Sequence, residues 1–302
     1  MPSSAPLVTI FALCHNHAPY LVECLESLRI QEYPNVECFL LNNTKDDGSE
    51  RIARQWIERT GYPCTFIQND SPRSVVENLN YLLGYARGTY LVGIACDDSM
   101  LPGRLERQVA EFERRGEKYG CIYGEMQLMD PESRILGNFY ANLRWPAGVP
   151  LPEGTLLDYH SRSCFVGAPA AMYRCAALRA VGGFDPRFAI EDWPLYLKFG
   201  RRGIRFAGLG KPLVNYRVIP GSLGKVVSEQ RIREMWLLFR EYRDVLVPSK
   251  SAIRKWSTFA EQLRQWDPAG ARMFRRELRQ WAGWRYYITR LSGWRYRTGK
   301  PK

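Results

Sequence analysis

The 302-residue sequence predicts an α/β fold built on a mostly parallel sheet. Two observations carry this. Through residue 95, short β-rich apolar runs alternate with segments of helical periodicity, and the connections between them are short. Residues 7–14 (LVTIFALC) form a continuous apolar run that reads as a buried strand. Tyr20 to Glu32 then carries Leu21, Cys24, Leu25 and Leu28 at helical spacing, with Pro34 just past its end. A second strand is expected over Val36 to Leu41, a helix over Glu50 to Thr60, a strand over Cys64 to Gln68, a helix over Val75 to Ala86 and a strand over Tyr90 to Ala95. Ligands on such sheets bind beyond the carboxyl ends of the strands. Three polar clusters fall at those ends: Cys14-His15-Asn16, Asn42-Asn43 and Asp97-Asp98.

From about residue 120 the pattern is mixed, with a Pro- and Gly-rich loop over 145–154 and helices expected over Cys175 to Val181 and Asp192 to Arg202. After Gly221 the composition shifts to long Arg-, Trp- and Leu-rich segments of helical period: Glu229 to Leu246, Ala252 to Gln265 and Arg272 to Leu291. These set a boundary near residue 225, giving an α/β domain over 1–225 and a helical basic extension over 226–302.

The formal charge of +12 favours an anionic partner: a phosphorylated substrate, nucleic acid or acidic lipid. Residues 268–302 supply most of it, with ten Lys or Arg against Glu277 alone. Eight scattered cysteines form no C-x-x-C pair, and the N-terminus shows no basic segment followed by an apolar cleavable run, so a reducing, cytoplasmic setting is expected. No apolar stretch approaches the ~18 residues of a membrane-spanning helix, so any membrane contact is expected to be peripheral.

Asp97-Asp98 lies where a strand stops, a position from which carboxylates can hold Mg2+ or Mn2+ against a diphosphate. The plainer reading is a turn or helix cap. Glu191-Asp192 follows Gly182-Gly183-Phe184-Asp185 and precedes an apolar helix, where a carboxylate can take a proton from a hydroxyl or cap the helix. Trp193 beside it suits either sugar stacking or a core role. His15-x-His17 is a weak metal-pair signal, and Asp46-Asp47-Gly48 reads as a turn.

Seven stretches in order and spacing resemble the family 2 glycosyltransferases of the GT-A fold over about residues 6–222: PLVTIFALCHN, APYLVECLESL with QEYPNVE, LLNNTKDDGS, ARGTYLVGIACDDSMLPGRLE, GGFDPRF, AIEDWPLYLK and PLVNYR with PGS. That resemblance implies inverting transfer from a nucleotide-sugar donor, by default a UDP-sugar, to a glycan or lipid-linked acceptor in polysaccharide assembly. It implies that Leu13, Cys14 and Asn16 touch the nucleotide base, and that Asn42 stands where the family usually has an Asp. Arg73 falls near a basic donor contact. The family's Asp-x-Asp falls on Ala95, Cys96 and Asp97, so Asp97 inherits the metal and Asp98 the ribose or the outer coordination sphere. Asp192 matches the general base, preceded by Glu191, and Ile219 stands where many members have His. No enzyme nucleophile is implied, and none is recognisable in the sequence.

Nucleic-acid binding through the basic C-terminus is the alternative of another class, although no nucleic-acid partner is expected. A catalytically impaired nucleotide-sugar-binding module, suggested by Ala95 and Ile219, is a further one. The C-terminal stripe of Phe274, Leu278, Trp281, Trp284, Ile288 and Leu291, flanked by Arg272, Arg275, Arg276, Arg279 and Arg290, suits docking on an anionic membrane or packing on the α/β domain.

Overall fold

A computed structural model describes residues 5–219, 227–287 and 289. The first half holds β1 (Val8–Cys14), α1 (Leu21–Arg29), β2 (Val36–Asn42), α2 (Ser49–Thr60), β3 (Cys64–Gln68), α3 (Val75–Leu83), β4 (Tyr90–Ala95), β5 (Ser99–Met100) and α4 (Arg104–Arg115). There follow β6 (Tyr119–Met129), β7 (Ile135–Asn138), α5 (Phe139–Asn142), α6 (Leu157–His160), β8 (Met172–Arg174), α7 (Cys175–Ala180), α8 (Asp192–Arg201) and β9 (Arg205–Arg217). Three helices close the chain: α9 (Glu229–Tyr242), α10 (Lys250–Leu263) and α11 (Pro268–Ala282).

The strands form one mixed sheet of order β3-β2-β1-β4-β8-β6-β9-β5, with β7 on β6. The pairs β1–β2, β1–β4 and β2–β3 are parallel, as the βαβ pattern requires, whereas β4–β8, β6–β8 and β5–β9 are antiparallel. Helices cover both faces. Apolar residues of α1, α2 and α4 fill one side of the sheet, and those of α3, α7 and α8 the other. This is why β1 reads as an unbroken apolar run and not as an alternating one. At the end of the sheet away from the site, Glu37 accepts from Thr9 Oγ1 at 2.6 Å and pairs with Arg87 at 2.9 Å. Gly88 belongs there because a Cβ would come within 2.5 Å of Thr9 Oγ1 and 2.7 Å of backbone atoms.

The C-terminal helices each start at a residue whose side chain accepts a first-turn N–H: Ser228, Ser249 and Asp267. Their apolar faces meet Phe188, Trp193 and Leu197 in a third core cluster, so the extension packs directly on α8. Trp193 and Trp256 stack with ring centroids 5.4 Å apart. The proposed boundary at residue 225 lies outside the described residues. The membrane-facing stripe is corrected in part: Phe274 and Leu278 are fully buried against α9 and α10, and Trp281 is half-buried, donating to the Leu246 carbonyl at 3.3 Å. Trp284 is exposed, and Ile288, Arg290 and Leu291 lie outside the described residues. Periodicity marks an apolar face without saying what covers it. Here two neighbouring helices do. The expected helix to Leu291 is interrupted at Gly283, whose φ of 54° breaks α11.

Candidate active site

The polar clusters converge because the strand ends are in register: Cys14 pairs with Asn42, Leu13 with Ala95, and Asn42 with Gln68. Beyond β1, Asn16 adopts φ 59°, a left-handed turn that Asn tolerates, and is exposed. Leu13 is half-buried. Cys14 is buried against the Cys96 thiol and Ser49, so it faces the core and not a ligand, contrary to expectation.

Asn42 also departs from expectation. It is 1% exposed, and its amide donates to the Thr44 carbonyl at 2.7 Å and to Gln68 Oε1 at 3.0 Å, while its oxygen accepts from the Thr44 N–H at 3.4 Å. Both amide hydrogens are committed to shaping the loop after β2, which leaves no donor for a base edge. Asn43 does the positioning of Arg73: its oxygen accepts from the Arg73 N–H and its amide donates to the Arg73 carbonyl, both at 2.9 Å. The exposed Arg73 guanidinium lies 5.2 Å from the centre of the Tyr81 ring.

The turn after β4 separates the two aspartates. Asp97 is 19% exposed, with His17 Nε2 at 3.7 Å from its carboxylate. Asp98 is 2% exposed and accepts from the Arg217 N–H at 2.8 Å. Burial and the Asp97 charge raise its carboxyl well above the ordinary range, while Arg217 and Arg104 pull the other way. Asp98 therefore braces the turn against β9, being buried and bonded to the Arg217 N–H.

Arg217 is the hub of this brace. Its side chain donates to the Asp97 carbonyl at 2.8 Å, to the carbonyls of Asp130 and Pro131 at 3.0 Å and to Ser133 Oγ at 2.9 Å, and it pairs with Glu23 at 2.7 Å. It also lies 4.2 Å from the centre of the Tyr20 ring. One side chain thus ties β4, α1 and the β6–β7 turn to β9.

On the opposite wall, Gly182 and Gly183 at φ 74° and 68° turn the chain toward α8. A Cβ at Gly183 would meet Asn80 Oδ1 at 2.7 Å, the atom that accepts from the Phe184 N–H. Glu191 and Asp192 open α8 and are half-buried. Glu191 makes no side-chain cap, so the capping alternative fails for it, whereas Asp192 accepts from the Trp193 N–H at 2.7 Å. Burial and the Asp192 charge push the Glu191 carboxyl up to about 8. Burial also raises Asp192, against hydrogen bonds from the Cys164 thiol and the Trp193 N–H. A helix N-terminus alone would lower it. Trp193 is corrected to a core residue: it is 5% exposed and its indole donates to the His160 carbonyl at 2.7 Å.

Tyr216 joins the two walls. Its phenol is pushed up to about 12, chiefly by burial and then by the charges of Asp98, Asp97, Glu191 and Asp192. Both acidic pairs are therefore near enough to act on Tyr216. Sequence reading missed Tyr216 and the hub role of Arg217, for which no local pattern exists, and it gave His17 only as half of a weak pair.

Among the described residues no three His, Cys, Asp or Glu side chains gather into a ready-made metal cage. Asp97 with His17 beside it still fits a divalent cation completed by phosphate oxygens, since Mg2+-type sites commonly use one or two carboxylates plus substrate.

The glycosyl transferase family 2 model matches residues 9–182, more than half of the chain. EpsE of Bacillus subtilis, named a candidate glycosyltransferase, is 28% identical over 223 residues, which cover 71% of this chain and 74% of that protein. Chondroitin synthase of Escherichia coli is 24% identical over 219 residues, 72% of this chain but 29% of that protein. Among solved structures, S. aureus TarS in complex with UDP-GlcNAc superposes with TM-score 0.62 at 15% identity, covering 85% of this chain and 81% of that one. A Pyrobaculum calidifontis mannosyltransferase in complex with GDP-Man and Mn2+ gives 0.61 at 16% identity, with 95% and 86% covered. The shared architecture is the GT-A fold.

Proposed function

The chain belongs to glycosyl transferase family 2, and from that premise we propose that it moves a sugar from a nucleoside diphosphate to a hydroxyl with inversion, Asp192 taking the hydroxyl proton. The observation that carries this is the placement of Asp97 just past β4 and of Asp192 at the start of α8, both acting on Tyr216. In an inverting transfer the hydroxyl attacks the anomeric carbon from the face opposite the leaving diphosphate, so base and diphosphate site must stand on separate walls of one space. Asp192 at the start of α8 and Asp97 just past β4 come from different elements, which supports that reading. A raised carboxyl is a stronger base, matched to a proton that becomes acidic only as the bond forms. Mg2+ or Mn2+ at Asp97, when bound, offsets the charge of the departing diphosphate. Asp98 and Arg217 hold the Asp97 turn in place, and Arg73 and Asn16 offer exposed polar contacts at the donor end.

The donor we propose is a UDP-sugar and the acceptor a glycan or lipid-linked glycan in polysaccharide synthesis, which the likenesses to TarS and chondroitin synthase support. A cytoplasmic location, with any membrane attachment peripheral, is part of the same reading. Among the described residues no helix is long and apolar enough to cross a membrane.

Asp192→Asn keeps size and polarity while removing the base. Turnover is expected to fall by about 10²-fold or more with donor affinity kept. Loss of donor affinity with kcat intact would move the base elsewhere.

Glu191 gives a pH signature. The folded chain holds a proton on this carboxyl up to about 8 that the unfolded chain, near 4.5, has released. The stabilisation is therefore complete below the unfolded value and is lost as pH rises through the folded one. Glu191→Gln is expected to flatten the decline in melting temperature over that window. The acid limb of the pH–rate profile should stay in place, because Asp192 ionises while Glu191 is still protonated. Parallel melting curves for both proteins would contradict the pair.

A further inference from the structure

A cleft of ≈ 670 Å³ opens at the start of α10, lined by Arg162, Lys250, Arg254 and Lys255 together with Ser and Thr hydroxyls including Ser251 and Thr258. None of its lining residues is acidic. Several arginines elsewhere in this region are paired with acids: Arg187 with Asp185 and Glu241, Arg201 with Asp244, Arg233 with Glu229, and Arg240 with Glu277. Ring faces hold two of the cleft cations without cancelling their charge. Arg162 lies 4.9 Å from the centre of the Tyr159 ring, and Lys255 lies 4.9 Å from that of Phe259. Like charges four residues apart on a helix, as Lys250 and Arg254 are, oppose folding, so keeping them together favours a bound anion. Guanidinium, ammonium and hydroxyl donors together form a set that suits phosphate.

The cleft is continuous with the wall that carries Asp192. The Trp256 indole of α10 donates to the Ser161 carbonyl at 2.7 Å, and the Val247 N–H donates to Ser161 Oγ at 2.7 Å. Three residues on, the Cys164 thiol hydrogen-bonds Asp192, and Arg162 and Ser163 between them line the cleft. The Arg231 charge acts on both Asp192 and Lys255. This face is separate from the donor end at β1, β2 and β4.

We propose that this cleft binds a phosphate group borne by the acceptor, beside the hydroxyl that Asp192 deprotonates. The acceptor role rests on the transferase reading. The anion site rests on the cleft alone.

The test is calorimetric titration of the full chain with fructose 1,6-bisphosphate, the donor site being saturated with UDP and Mg2+. Wild type should bind the bisphosphate, and Lys250→Glu with Arg254→Glu should weaken binding by roughly tenfold or more. Lys250→Gln with Arg254→Gln should give a smaller loss, and melting curves check that both variants fold. No bisphosphate binding by wild type, equal binding by the charge-reversed variant, or citrate binding as tightly would overturn the phosphate site. Co-sedimentation with neutral vesicles carrying dihexadecyl phosphate separates the sources. Variant-sensitive sedimentation assigns a lipid-borne phosphate, and bisphosphate binding without sedimentation assigns a soluble phosphorylated glycan. Failure of UDP to bind would sink the transferase reading and the acceptor role with it, while the bisphosphate titration still decides the cleft.

Discussion

Asp97→Ala is expected to cut transfer by roughly 10³-fold and to erase its response to Mg2+ or Mn2+. The size of the effect follows from what the carboxylate is placed to do. The diphosphate gains negative charge as the bond breaks, and a divalent cation held by Asp97 would offset that added charge, so the Asp97 interaction would count most in the transition state. Asp98 offers no replacement, being buried and bonded to the Arg217 N–H. His17 lies at 3.7 Å but brings no negative charge to attract the ion. The fold should survive, because the Asp97 side chain is 19% exposed and braces nothing. Full activity in the variant, or wild-type activity indifferent to EDTA, would remove the metal from the account.

Arg217→Ala should instead act on the fold, lowering stability by roughly 2–4 kcal/mol, the scale of leaving one or two buried carbonyls without a donor. The Arg217 side chain is 1% exposed and pairs with Glu23. Its loss takes a donor from the carbonyls of Asp97 and Pro131, while the Asp130 carbonyl keeps the Ser133 N–H. Such a loss is a large share of the ~5–15 kcal/mol typical of a domain. Arg217→Lys keeps the charge but cannot reach every acceptor from one ammonium, so it should fall between the two. Urea denaturation measures both, and a drop below about 1 kcal/mol for the alanine variant would show that the network is redundant.

The parallel half of the sheet was legible because its signals are local. Each strand from β1 to β4 is bounded by residues that end it, and its crossover helix carries its own periodicity, so expected and observed limits agree closely. The mixed half was not. The long parallel β6–β9 pairing joins Tyr119–Met129 to Arg205–Arg217, segments distant in sequence, through several register shifts that no short pattern announces.

The site divides in the same way. Placing Asp97, Asp98, Glu191 and Asp192 needed only strand and helix ends. Deciding what each one faces needed tertiary partners: Arg217 for Asp98, Gln68 and Thr44 for Asn42, and Trp256 for Trp193. The raised carboxyls at the head of α8 come from burial, which opposes the helix dipole and is supplied by elements far along the chain.

The most direct test of the central claim, inverting transfer at this site, is proton NMR of the sugar released when the enzyme and Mg2+ hydrolyse an α-linked UDP-sugar. The expected result is the β anomer appearing first, together with UDP, at a rate that collapses in Asp192→Asn. First appearance of the α anomer, or no release from any nucleotide sugar offered, would contradict it.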